Sequence, residues 1–428
     1  MHIQCTHGTP TVDTLDHLPP LPLLIGYWHA MTEQDELAIY HALRLHDRVR
    51  YISLYLPPSI LHKCLVIMDE QFPRLEHLSL SFEADKFTPL TLPKTFLAPN
   101  LRYLSLSGIA PPKRLRFLTS TVSLVTLVLW NIQSSGYFRP RLLASRLWSL
   151  PQLEDLSIRF SSPIPRPGAE REMLGEPGAP VTLPNLKILR YEGVSSYLEC
   201  LVAQITVPLL EQLDITLFNE IAFALPHLFH LINIPDGFKL PTAKVFFDRD
   251  AVSIITAPHI SQQSDQPFSL HVMCEQLDWQ IDCAAQICSM LIPAISDVER
   301  FTIDFYEKTL PSELQDGGID CTTWLELLRS FIGVKELHVC GGLLEELSKA
   351  LQLDEVGSNP GFLPDLQDIV CDSQWVPSDD NSFASFIDAR RVTGRTVHFS
   401  PQPTPRRRIA SQNFQSLASP GRFSTARV

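Results

Sequence analysis

Four residues within an eighteen-residue stretch, His271, Cys274, Cys283 and Cys288, are of the types that bind zinc. Structural zinc sites use two short ligand pairs, and this spacing offers none. If Cys283 and Cys288 share one helix, five residues turn them about 140° apart. The set therefore reads as small core residues. A second pair, His338 and Cys340, alternates on a segment of strand pattern, which would bring a base and a thiol to one face. A solvent-facing pair on a binding surface accounts for the same spacing. In the tail, Pro405-Arg-Arg-Arg-Ile-Ala-Ser411 offers Ser411 to a basophilic kinase, or serves as a short basic localisation signal. No P-loop, GxGxxG, GxSxG, HExxH or EF-hand pattern occurs. The expectation is a protein without catalytic residues, metal or cofactor.

Composition points the same way. The chain has 428 residues, 45% of them apolar and 19% charged, and its 35 prolines outnumber 18 glycines. High proline without high glycine marks many rigid element boundaries. The net charge of -12 opposes non-specific binding to nucleic acid or anionic membranes, which needs cations. Five arginines and no acid lie between Ser400 and Val428, so the body carries about -17 (-12 minus +5). Nine scattered cysteines without a CxxC pair suit buried thiols in a reducing compartment. No stretch approaches the roughly 18 apolar residues of a membrane span. A cytoplasmic or nuclear protein is expected.

The elements that would position any site follow one recurrent unit: an apolar residue, proline, one variable residue, then Leu-x-x-apolar-x-apolar. It occurs at Phe72-Pro73-Arg74-Leu75, Ala98-Pro99-Asn100-Leu101, Leu150-Pro151-Gln152-Leu153, Leu183-Pro184-Asn185-Leu186, Val207-Pro208-Leu209-Leu210 and Leu363-Pro364-Asp365-Leu366. Relatives without proline begin at Val49, Leu124, Val298 and Val334. Each reads as a short strand whose apolar face needs a neighbouring repeat to bury it. Segments of helical periodicity alternate with these strands, and two of them open with capping-box patterns, Ser196-x-x-Glu199 and Thr323-x-x-Glu326. Between Pro235 and Asp282 the leucine signature fades, although AKVFFD and FSLHVM still read as strands of the sheet.

The fold class expected is α/β, an irregular leucine-rich-repeat solenoid with a curved, mostly parallel sheet on its concave side and helices and loops on its convex side. Residues 1–48 form an N-terminal capping segment whose amphipathic stretch Thr32 to Leu45 covers the first open edge. Residues 49–399 form the solenoid, interrupted by an insertion from Ser161 to Ala179, and 400–428 a disordered basic tail. Alternate strand positions would line the concave face, giving Tyr51, Tyr55, His77, Tyr103, Trp130, Arg159, Arg190, Asp214, Glu336 and His338 as candidate partner contacts. The aromatic residues fall in the N-terminal half, and the C-terminal half is mostly acidic. An apolar or aromatic segment followed by basic residues would complement both.

The segments CTHGTP, LPPLPLLIGYW, HDRVRYISL, LPKTFLAPNLRYLSLSGI, GVSSYLECLVAQITVPLLEQLDITLFN and ARRVTGRTV resemble the fungal, chiefly basidiomycete, F-box proteins with a leucine-rich-repeat-like body, over nearly residues 5 to 399. That resemblance implies the substrate receptor of an SCF-type ubiquitin ligase, in which an F-box docks on a Skp-type adaptor and the repeats select a target protein. In the family the F-box precedes the CT-x-GTP segment, which here begins at Cys5. The expectation is a receptor body whose F-box is absent or lies upstream, with a Skp-type adaptor as partner only if that F-box exists. A free-standing leucine-rich-repeat scaffold or inhibitor unrelated to ubiquitin is the alternative.

Overall fold

A computed structural model describes residues 2–8, 12–17, 19–28, 32–82, 90–112, 116–133, 136–161, 180–218, 225–233, 241–257, 266–305, 321–339, 343–356, 363–372, 383–392 and 394–402. The protein is mixed α/β, with one large, mostly parallel sheet and helices on one of its faces.

The first strands are β1 (Ile3–Cys5), β2 (Leu23–Trp28), β3 (Val49–Tyr55), β4 (His77–Ser81), β5 (Leu90–Thr91), β6 (Tyr103–Ser107) and β7 (Ile109–Ala110). Next come β8 (Thr126–Ile132), β9 (Asp155–Phe160), β10 (Val181–Thr182), β11 (Ile188–Gly193), β12 (Ile205–Thr206) and β13 (Gln212–Phe218). The last are β14 (Thr242–Phe247), β15 (Ala251–Ala257), β16 (Phe268–Met273), β17 (Arg300–Phe305), β18 (Glu336–Val339), β19 (Asp368–Asp372) and β20 (His398–Gln402). Sixteen of these form one sheet in the order β1-β2-β3-β4-β6-β8-β9-β11-β13-β16-β15-β14-β17-β18-β19-β20. The order has two free ends, so the sheet is open, not a closed barrel. All ten strands expected from the leucine pattern are present.

The proline of the repeated unit acts in a turn. In each of the six Pro-containing units the Leu N–H donates to the carbonyl of the apolar residue before the proline: Leu75 to Phe72, Leu101 to Ala98, Leu153 to Leu150, Leu186 to Leu183, Leu210 to Val207 and Leu366 to Leu363. Proline is thus the second residue of a four-residue turn, where its fixed φ is already correct and its missing N–H is not needed. Leu124 and Val298 close the same turn onto Thr121 and Ile295 without proline. Two of the turns are also tied sideways, because Asn100 Nδ2 donates to the Pro73 carbonyl at 2.6 Å and Asn185 Nδ2 to that of Pro151 at 2.8 Å.

Alternation then builds the core. Leu78, Leu80, Leu104, Leu106, Leu127, Leu129, Leu156 and Ile158 are all 0% exposed and belong to one hydrophobic cluster with residues of the connecting helices. Those helices include Glu33–Arg44, Pro58–Ile67, Pro140–Leu147, Ser195–Val202, Pro226–Ile232, Leu277–Met290, Cys321–Arg329 and Leu344–Val356. The intervening strand residues point to the opposite face, as a period of two requires.

Several expectations are corrected. The sheet begins before Val49: β1 and β2 lie within the supposed capping segment, and the helix Glu33–Arg44 connects β2 to β3 as later helices connect later strands. A three-residue edge strand, β1, ends the sheet, and so short an edge offers little to an intruding chain. At the other end β20 runs to Gln402, inside the supposed tail. Neither proposed capping box forms. Val194 is the N-cap of its helix, and Thr323 sits inside the helix Cys321–Arg329. Glu199 instead accepts from the backbone of His227 at 2.7 Å and Leu228 at 3.1 Å, capping the next helix along. The one capping box described, Thr32 with Asp35, opens the helix Glu33–Arg44.

The faded stretch is an inversion. β14 and β16 are the expected AKVFFD and FSLHVM strands, but β15 between them is antiparallel to both. The three strands run back toward β13, so β16, not β14, pairs with β13. The helix Leu277–Met290, at 14 residues the longest described, then returns the chain past β15 and β14 to β17. The insertion from 162 to 179 and residues 403–428, including Ser411, lie outside the described residues.

Candidate functional site

The expected contact residues do share the face opposite the helices, each half-exposed. Register puts Tyr51 beside His77 and His77 beside Tyr103 on β3, β4 and β6. Their rings stack in sequence, with centroids 4.2 Å apart in both pairs and planes within 12° and 4°. Neighbouring strands lie about 4.8 Å apart, close to the stacking distance of flat rings, so the ladder itself sets up the stack. Burial between two tyrosines pushes the His77 imidazole down to about 4, and burial also raises the Tyr103 phenol. His77 is therefore neutral at ordinary pH, as suits an aromatic surface. Tyr55 lies two rows over, beyond the Ser53–Ser79–Ser105 row, and is paired in register with Trp28 of β2.

Trp130 closes the aromatic half. The register of β8 slips beside it, where Asn131 takes a positive φ of 52°, a conformation asparagine tolerates better than most residues. The Trp130 indole N–H donates to Ser157 Oγ at 3.1 Å, and the Arg159 guanidinium lies 4.9 Å from the ring centre.

Arg159 begins a polar half. It faces Glu192 at 3.8 Å and Asp214 at 3.9 Å, and Arg190 binds both oxygens of Asp155 at 3.0 Å. Burial raises the Glu192 carboxyl, with Arg159 opposing and Asp214 reinforcing that rise. Farther along, Lys244 reaches Asp304 at 2.8 Å, Arg300 reaches Glu336 at 2.7 Å, and His338 hydrogen-bonds to Glu336. The carboxylates that made this half look acidic in sequence are mostly neutralised by cations of the same face.

The chemical candidates separate. His271 stands on the outer face, whereas Cys283 and Cys288 are fully buried on the helix behind the sheet, so the sheet divides the proposed zinc ligands. Among the described residues no group of three or more His, Cys, Asp or Glu residues could hold a metal ion. Cys283 faces Cys274 instead, and their hydrogen bond together with burial pushes the Cys283 thiol up. Cys340 lies outside the described residues, so its pairing with His338 is not described. The structure assembles one set that sequence spacing could not show: Ser253 Oγ lies 2.6 Å from His271 Nδ1, and Asp214 lies 3.9 Å from His271 Nε2. The second link is too long for a hydrogen bond, Asp214 already accepts from Ser269 at 2.7 Å, and Ser253 is 5% exposed. This is a cross-strand polar ladder, not a nucleophile presented to a substrate.

A further row was missed in sequence. Residues at or just before the strand starts line up along the N-terminal end of the sheet: Arg50, Glu76, Arg102, Val125, Glu154, Lys187 and Glu211, each donating its backbone N–H to the preceding one at 2.8 or 2.9 Å after the first. The signal was the variable residue after each leucine, which alternates in charge. Among the described residues no helix is long and apolar enough to cross a membrane. No protein-family model matches the chain, and no curated protein matches it.

Proposed function

We propose that this chain recognises another protein through the outer face of its sheet and performs no chemistry there. It would serve as the target-binding body of an F-box/SCF-type receptor, built as an irregular leucine-rich-repeat solenoid with that face on its concave side. The observation carrying the reading is the Tyr51–His77–Tyr103 stack, with Tyr55 and Trp130 two rows away on the same face. Such rings offer large contact area with few rotors to freeze, and stacking has already ordered Tyr51, His77 and Tyr103. The ubiquitin connection rests on the sequence resemblance.

The test is proximity labelling in cells with the intact chain and with Tyr55, Tyr103 and Trp130 changed to alanine. Partners that disappear from the variant's list support recognition by this face, and an unchanged list sinks it. Binding to a Skp-type adaptor, assayed on the chain with its upstream reading frame included, separates the ligase reading from that of a free-standing scaffold.

A further inference from the structure

The row of charges is mostly self-neutralising. Arg50 pairs with Glu76 at 2.9 Å, Lys187 with Glu154 at 2.9 Å and Lys335 with Glu299 at 2.6 Å. Between Arg50 and Glu211 the alternation fails at one place. The position following Arg102 in the row is Val125, and the preceding Glu76 is already bound to Arg50. Arg102 therefore has no ion-pair partner among the described residues, and neither has Arg74 in the turn beside it; both are exposed. These side chains open onto a groove of about 690 Å³ that runs along the N-terminal ends of the strands from β2, at Pro22, to β9, at Gln152. Asn100, Ser123 and Gln152 supply neutral hydrogen-bonding groups along its turn side. With three arginines and one glutamate the groove carries +2 on a protein whose net charge is -12.

We propose that this groove binds an extended acidic segment of a partner protein, with two partner carboxylates seated on Arg74 and Arg102. A guanidinium holds a carboxylate through two parallel hydrogen bonds, and the groove spans the five strand spacings from β2 to β9, about 24 Å, which suits an extended segment of several residues. A nucleic acid fits poorly. Its continuous phosphate charge would meet the acidic remainder of the surface, and two free cations cannot offset that repulsion. The groove lies at the N-terminal end of the sheet next to the aromatic stack, so the proposal stands independently of what that stack recognises.

The test measures fluorescence anisotropy of a fluorescein-labelled peptide alternating glutamate and serine, titrated with the full chain at low ionic strength. A glutamine–serine peptide and a single-stranded DNA oligonucleotide are the comparison probes. The acidic peptide is expected to bind, more weakly as salt rises, with the other two binding far less. Combining Arg74→Glu with Arg102→Glu should weaken it about tenfold or more. Val125→Glu should weaken it severalfold by giving Arg102 the partner its row lacks, and Arg391→Glu, an exposed change elsewhere, should leave it unaltered. All four substitutions are outside the core, and the circular dichroism spectrum verifies folding of each variant. Equal binding of the glutamine peptide, tighter binding of the oligonucleotide, or undiminished affinity in both groove variants would overturn the proposal.

Discussion

His77 shows how one side chain links the surface to stability. Its imidazole is held neutral by burial between Tyr51 and Tyr103, with a folded value of about 4 against an ordinary 6.5. Because the folded value is depressed, the unfolded chain binds the proton first as pH falls. The stabilisation is whole above 6.5 and is lost progressively as pH drops toward 4. Urea midpoints measured at pH 7 and pH 5 should therefore fall more in the parent protein than in His77→Phe, which keeps a stackable ring and removes the proton site. Equal falls in the two proteins would mean that His77 is not the responsible group. The placement of Tyr51, His77 and Tyr103 on one face was legible because strand periodicity and equal spacing put one ring per strand there. The Arg159 contact with Trp130 follows from the same register, since Leu129 pairs with Ile158 immediately before them, whereas the slip at Asn131 that ends this register had no signal in the sequence.

At the scale of elements, Asp35 ties the segment after β1 to the start of the helix Glu33–Arg44. Its carboxylate accepts from Gly8 N–H at 2.8 Å and from both the N–H and the hydroxyl of Thr32 at 3.0 and 2.8 Å. Burial acts to raise its pKa, but these hydrogen bonds, together with His7 Nδ1 at 3.6 Å, outweigh it and hold the group at about 2. Its folded value lies below the ordinary 3.8, so the stabilisation is present above 3.8 and is lost as pH falls toward 2. Asp35→Ala leaves those donors unpaired and should cost about 1–3 kcal/mol. Amide exchange in Ile3–Cys5 should accelerate by more than that of β4, because only the former is tethered through Gly8. Uniform acceleration across the sheet would contradict this local role. The Glu199 cap makes a related point: the sequence pattern identified a capping carboxylate, but the helix it caps is the next one, brought alongside only by folding.

At the scale of the whole molecule, one hydrophobic cluster runs from Cys5 in β1 to Val397 beside β20. Each strand depends on its neighbours for the burial of its apolar face. Leu104, 0% exposed in β6, has strands on both sides. Leu104→Ala should lower stability by about 2–5 kcal/mol through lost burial and the cavity left behind. Far-ultraviolet circular dichroism and tryptophan fluorescence should shift together in urea. Separate transitions, with only one probe moved, would show that the sheet unfolds in independent blocks.

Local chemistry written in the chain determined the strands and their inward faces, since Pro-x-Leu turns and period-two alternation act between residues within a few positions. The ordering of the expected face residues into rows followed from the same periodicity. Tertiary structure alone decided the inversion of β14, β15 and β16, where no repeated unit specifies the path. It also decided which charges meet. Arg190 with Asp155, Lys244 with Asp304 and Arg50 with Glu76 are 35, 60 and 26 positions apart by their numbers, and only the strands placed side by side bring them within Coulombic reach. Thus the half that is acidic as a string of letters is largely neutralised in space. Among the described residues Arg74 and Arg102 are left without an ion-pair partner, where Val125 interrupts the pairing row.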